Sequence, residues 1–109
     1  MQFDVFPNPA TRVRASYPYI VLMQSDRADT GANRTIAFLA PSSGLKMSDQ
    51  LVPVVDVNGA RFVLLLSPLM NIAASELKRP IANLFTYREK IVAGLDWLFS
   101  DLVIRLFSL

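Results

Sequence analysis

Residues 86–109, TYREKIVAGLDWLFSDLVIRLFSL, decide how the rest of the chain is read. Placed at 100° per residue, Ile91, Val92, Leu95, Leu98, Phe99, Leu102, Val103, Leu106 and Leu109 fall within one broad apolar arc, the signature of an amphipathic helix whose inner face a sheet or a second helix must cover. The opposite arc carries Lys90, Gly94, Asp101, Arg105 and Ser108, interrupted by three large apolar residues, Trp97, Ile104 and Phe107. An apolar strip outside the core-facing arc is a candidate contact surface, for a second copy or for another partner. At the start of the helix, Thr86 and Glu89 have the spacing of a capping box, which satisfies two of the unpaired donors at a helix N-terminus.

Upstream of this helix the chain is written in short strands. Residues 2–6 alternate, with Phe3 and Val5 on one face, and Pro7 and Pro9 end the run. Residues 17–23, YPYIVLM, form an apolar strand with Pro18 near its start, where a missing N–H does least harm. A polar stretch rich in turn formers follows to Asn33, and residues 35–39 make a third strand. Residues 51–57 and 61–66 flank Asn58-Gly59, the dipeptide that best tolerates the positive φ values of a type I′ hairpin turn. The unbroken apolar run of the return strand predicts burial on both faces. Ser67-Pro68 is expected to break it, residues 72–77 to add a short strand, and residues 81–84 a further short apolar piece. The result is an α+β chain, mainly antiparallel β, closed by one C-terminal helix.

Bulk properties bound the function. A chain of 109 residues is the size of one domain, so residues 1–109 are expected to fold as a single unit. The apolar share of 52% is slightly high for a soluble domain, and an additional apolar interface, as in a homodimer, accounts for it. A net charge of +2, scattered along the chain, is too small for the footprint of a direct nucleic-acid binder. Neither Cys nor His occurs, which excludes disulfides, thiolate metal sites and His-dependent nucleophilic catalysis. No apolar run reaches the roughly 20 residues that cross a bilayer, and residues 1–12 lack the pattern of a signal peptide. A cytoplasmic protein without membrane association or cofactor is expected.

Two further groups stand out. Arg12 and Arg14 alternate with Val13 in the loop of residues 8–16, which suggests an extended piece with both cations in solvent. They are either solvated loop arginines or a docking point for an acidic partner segment. Asp26 and Asp29 form a carboxylate pair, but without His or a third acidic neighbour they read as caps of the loop rather than as metal ligands.

Several words at fixed spacing then give a family resemblance. Met1-Gln2-Phe3, Tyr17-Pro18-Tyr19 leading into Met23-Gln24-Ser25-Asp26, Asp29, Pro53-Val54-Val55, and Ala82-Asn83-Leu84 followed by Arg88-Glu89 resemble the CcdB family of toxin–antitoxin toxins over nearly the whole length. The resemblance implies an SH3-like barrel or sheet of the CcdB/Kid/MazF type with a C-terminal helix. It also implies a homodimeric toxin that traps the DNA gyrase A subunit with cleaved DNA, without chemistry of its own. A CcdA-like antitoxin would neutralise it, and the pair would bind operator DNA together. Under that resemblance Glu89 is the matching gyrase-binding position, Arg12 and Arg14 become candidate antitoxin contacts, and Trp97, Ile104 and Phe107 candidate dimer or partner contacts.

The chain departs from the family pattern in two places. Asp101-Leu102-Val103 stands where gyrase poisons of the family carry a closing Trp-Gly-Ile, and Arg27-Ala28 where two apolar residues commonly follow Gln-Ser-Asp. The resemblance leaves two alternatives. One is an endoribonuclease of the Kid/MazF type, for which Arg12, Arg14, Arg27, Asp26 and Asp29 are the available charged groups; the other is a diverged, non-toxic member.

Overall fold

A computed structural model of the chain describes residues 1–25, 31–42 and 52–107, with side chains described as far as Phe99. Six antiparallel strands make one sheet: β1 (Asp4–Pro7), β2 (Tyr19–Leu22), β3 (Asn33–Pro41), β4 (Val54–Val57), β5 (Ala60–Ala73) and β6 (Ala82–Asn83). Their order is β4-β5-β3-β2-β1-β6. The sheet curls into a nearly closed barrel, and the helix α1 (Arg88–Phe107) follows it, giving an α+β fold of the SH3-like type.

The expected hairpin is present. Asn58 and Gly59 have φ of 51° and 88°, and Val57 pairs with Ala60, so two residues connect β4 to β5. Positive φ at both positions matches the twist of the flanking strands, which is why this dipeptide fixes the register so firmly. Alternation then sorts the strands between two faces. Phe62, Leu64 and Leu66 of β5 join Val5, Val21, Ala37, Leu39 and Val55 inside the barrel. On the other face, Ile20 and Leu22 of β2 join Phe6 and Ile36, covered by Phe38, Ile72 and Leu77. Both faces of β2 are therefore apolar and buried, each large side chain contributing about 1.5–3 kcal/mol. Tyr19 packs edge-on against Phe62, with ring centroids 5.3 Å apart.

Ser67-Pro68 does not end β5. The strand runs 14 residues, and the pairing with β3 shifts between Ile36, which faces Met70, and Phe38, which faces Leu65. Residues 66–69 bulge out opposite Ala37, and Pro68 sits in this irregularity, where the ladder requires no donor from it. The expected strand over residues 72–77 divides accordingly: Ile72 and Ala73 finish β5, and Ala74–Glu76 form a 3-10 turn.

The start of the helix also differs from the capping-box reading. A 3-10 turn, Phe85–Tyr87, precedes α1 and places Thr86 inside the turn rather than ahead of it. The N-cap of the turn is Leu84, without a side-chain cap bond; one residue earlier, Asn83 Oδ1 accepts the Phe85 N–H at 2.7 Å while its Nδ2 donates to Asp4 Oδ1 at 2.9 Å. One side chain thus ties the turn before the helix to β1. The barrel's open seam lies nearby. In a two-residue hairpin the Val57–Ala60 pair exchanges the ladder bonds, so the Asp56 N–H points outward from the β4 edge. Tyr87 Oη accepts that N–H at 3.0 Å, and Asn58 Nδ2 donates to the Ile81 carbonyl at 3.5 Å. These two bonds bridge β4 and its hairpin turn to residues on either side of β6.

Candidate functional site

The helix covers the barrel with a narrower face than its apolar arc predicts. Ile91 is fully buried, and Leu95 and Leu98 pack against the barrel core. Gly94, assigned to the outer arc on periodicity, is buried on the inner side instead. Val92 and Phe99, assigned to the inner arc, are exposed by 36% and 49%. The reason is geometric: the covered face is centred on Ile91, Gly94, Leu95 and Leu98, which spans only about 100° of the wheel and leaves both flanks outside. Val92 and Phe99 lie seven residues apart on one flank, and Phe85, in the 3-10 turn before the helix, is 54% exposed. Trp97, 47% exposed, lies on the other flank.

The candidate contact surface is therefore broader than the expected strip and composed differently. Trp97 is on it as anticipated, and Phe85, Val92 and Phe99 join it. The side chains of Ile104 and Phe107 lie outside the described residues. Glu89 is exposed on the first turn of α1 and forms no ion pair or side-chain hydrogen bond among the described residues. Freed from the capping role assigned to it, its carboxylate is open to an incoming partner. Four large apolar side chains around one helix, with an exposed carboxylate at its start, form a surface suited to burial against another protein.

A second surface gathers cations. The loop of residues 8–16 is folded, not extended: Thr11–Val13 make a 3-10 turn, closed by the Val13 N–H to Ala10 carbonyl bond at 3.1 Å. Its anchor is Asn8, the one buried polar side chain among the described residues. Asn8 Nδ2 donates to the Tyr17 carbonyl at 2.8 Å, its Oδ1 accepts the Ala10 N–H at 3.0 Å, and its own N–H donates to the Pro18 carbonyl at 3.0 Å. Arg14 Nε in turn donates to the Asn8 carbonyl. The two arginines, expected to be equivalent, are thus distinct. Arg12 is exposed and forms no such bond, whereas Arg14 is held against the loop, where it lines a groove of about 440 Å³ with Phe6, Pro7, Lys78, Arg79 and Ile81.

Lys78 and Arg79 escaped the sequence reading because the groove joins segments some 65 residues apart. The only signal available was the Lys-Arg-Pro word after the expected strand. Gln24, by contrast, has an architectural role: its Oε1 accepts the Thr35 N–H at 3.1 Å, tying the end of β2 to β3. Asp26, Arg27 and Asp29 lie outside the described residues. Among the described residues, no cluster of three or more His, Cys, Asp or Glu is placed to hold a metal ion, and no helix is long and apolar enough to cross a membrane.

The fold is that of a small SH3-like barrel with one C-terminal helix, on which Val92, Trp97 and Phe99 are exposed. The model of the CcdB protein family matches residues 2–101, and the chain belongs to that family. No individual curated protein gives a significant match. Family membership makes the chain a toxin of the toxin–antitoxin class.

Proposed function

We propose that the chain is a CcdB-like toxin that acts as a homodimer on DNA gyrase, binding the A subunit and trapping it with cleaved DNA, with no catalytic step of its own. The observation that carries this reading is the family match over residues 2–101, joined to an exposed helix face in the part of the chain where the family meets its target. Glu89 and Trp97 are the proposed gyrase or dimer contacts, with Phe85, Val92 and Phe99 as further apolar surface. Burying about four such side chains in one interface is the usual basis of a hot-spot cluster. The absence of His and Cys from the sequence favours action by binding over nucleophilic chemistry.

In the same reading a small antitoxin neutralises the toxin, with Arg12 and Arg14 contacting its acidic tail, and the pair represses its own operon and contributes to plasmid maintenance. The test is a cleavage assay: purified chain, gyrase, ATP and supercoiled plasmid, with the products denatured before electrophoresis. Accumulation of linear DNA with covalently attached A subunit supports the proposal. Unchanged supercoiling and no linear DNA, from a chain that still arrests growth when expressed, would overturn it.

A further inference from the structure

The tip of the β4–β5 hairpin carries chemistry as well as geometry. An asparagine closes on its own backbone when the next amide nitrogen can reach its side-chain carbonyl carbon, when that nitrogen is not committed to a ladder, and when water has access. Asn58 and Gly59 are both exposed. Gly59 has no side chain to block the approach, and nothing lies within 4 Å of where a Cβ would stand. Val57 and Ala60 close the hairpin and exchange the ladder bonds between themselves, which leaves the Gly59 N–H outside the ladder. The Asn58 amide is restrained only by its bond to the Ile81 carbonyl, which at 3.5 Å is at the limit of hydrogen-bond reach.

The other asparagines lack this combination. Asn8 precedes Pro9, whose nitrogen carries no proton, and its side chain is buried and bonded at both its oxygen and its nitrogen. Asn33, Asn71 and Asn83 lie in β3, β5 and β6, ahead of Arg34, Ile72 and Leu84, whose side chains crowd the attacking nitrogen.

We propose that Asn58 is a site of spontaneous deamidation and isoaspartate formation in the folded protein, and that the product loosens the seam of the barrel. The Gly59 nitrogen, deprotonated by base, bonds to Asn58 Cγ; the Cγ–Nδ2 bond breaks and ammonia leaves, giving a five-membered succinimide. Water then opens the ring. Breaking the bond between the nitrogen and Cγ gives aspartate in a normal main chain. Breaking the bond between the nitrogen and the main-chain carbonyl carbon gives isoaspartate, whose main chain is one methylene longer. The net exchange is water for ammonia, with no oxidant or reductant.

Both products replace a donor by a carboxylate, so the bond to the Ile81 carbonyl is lost, and of the two bonds across the seam only that from Asp56 to Tyr87 remains. Their effects on the turn differ. Aspartate still tolerates positive φ, so the two-residue turn persists. Isoaspartate adds an atom to a connection whose length fits the Val57–Ala60 pair, and opens that last rung of the hairpin. The modified chain is thereby a substrate for enzymes that methylate isoaspartyl carboxylates.

The test incubates the full, folded chain at 37 °C at pH 6.5 and pH 8.5 and maps its peptides by mass spectrometry. Methylation by protein L-isoaspartyl O-methyltransferase gives a separate readout of isoaspartate. The mass gain of replacing NH2 by OH is expected in the peptide containing Asn58 before any other, and faster at the higher pH, where more of the nitrogen is deprotonated. Methyl incorporation is expected to be lost in Asn58→Gln, whose longer side chain would have to close a six-membered ring. Asn58→Asp reports the seam without the added methylene: its Tm falls by about 2–4 °C, the cost of one weak hydrogen bond. Aged chain exchanges the Val57 and Ala60 amides faster than Asn58→Asp does.

Modification of Asn58 in urea-unfolded but not in folded chain, or modification of another asparagine first, would overturn the proposed site. Wild-type Tm in Asn58→Asp together with wild-type amide exchange in aged chain would overturn its effect on the seam. None of these readouts involves antitoxin or gyrase, so the outcome is independent of the proposed target.

Discussion

Replacing Asn8 by Ala is expected to destabilise the protein by about 2–3 kcal/mol, because two side-chain hydrogen bonds are lost and their partners are left in a partly buried loop. The Nδ2 bond to the Tyr17 carbonyl is 2.8 Å and the Oδ1 bond from the Ala10 N–H is 3.0 Å, both of ordinary strength by geometry. Each contributes about 1 kcal/mol net, and the remainder comes from a carbonyl or amide that water reaches poorly once the side chain is gone. The Asn8 N–H bond to Pro18 is a backbone bond and survives the substitution. For a domain of this size the loss corresponds to a fall in Tm of about 8–15 °C. Calorimetry at one fixed protein concentration measures it, since any dimer makes Tm concentration-dependent. Arg14→Met provides the contrast: it removes an exposed side chain's bond and costs about 0.5 kcal/mol, near the range of ordinary surface substitutions. If Asn8→Ala costs no more than Arg14→Met, the loop is not organised by Asn8 and the fixed orientation of Arg14 loses its basis.

Three further substitutions test separate parts of the fold and surface. Gly59→Ala is expected to cost about 1–2 kcal/mol in a urea melt, entirely from backbone conformation, since φ is +88° and open space surrounds the position where a Cβ would stand. Tyr87→Phe removes the acceptor of the Asp56 N–H at the seam. It is expected to cost about 0.5–1.5 kcal/mol and to speed amide exchange at Asp56 more than at the other β4 amides. Trp97→Ala is expected to leave monomer stability within about 0.5 kcal/mol while lowering dimer or partner affinity by about 1–3 kcal/mol. Sedimentation equilibrium and a pull-down of gyrase A subunit measure the two affinities, and wild-type values in both would remove Trp97 from the contact surface.

The features legible in the sequence were those fixed by local conformation. Asn58-Gly59 dictates its turn because both residues accept positive φ, whatever surrounds them. The strand faces followed from alternation, and the burial of Phe62, Val63, Leu64 and Leu66 of β5 from the unbroken apolar run of the return strand. Where tertiary pairing overrode local preference, the sequence misled. Pro68 breaks strands in general, yet β5 continues through it because the register shift against β3 absorbs four residues opposite Ala37.

Thr86 and Glu89 have the spacing of a capping box, but Thr86 lies inside the 3-10 turn Phe85–Tyr87, whose first N–H is accepted by Asn83, itself fixed by its bond to Asp4. The helix periodicity was correct while its facing was not. The wheel reports the centre of the apolar arc, and the barrel covers only the part near Ile91, Leu95 and Leu98. The resulting exposure of Phe85, Val92 and Phe99, and the meeting of Arg14 with Lys78 and Arg79, are consequences of three-dimensional placement that no window of sequence contains.

The central claim is that the exposed helix face serves a protein target, gyrase, and its most direct test is a binding isotherm of the purified chain with the gyrase A subunit. Wild-type chain is expected to bind saturably, and Glu89→Ala and Trp97→Ala to weaken binding while both variants remain folded. Absence of binding by wild-type chain, or wild-type affinity in both variants, would contradict the account.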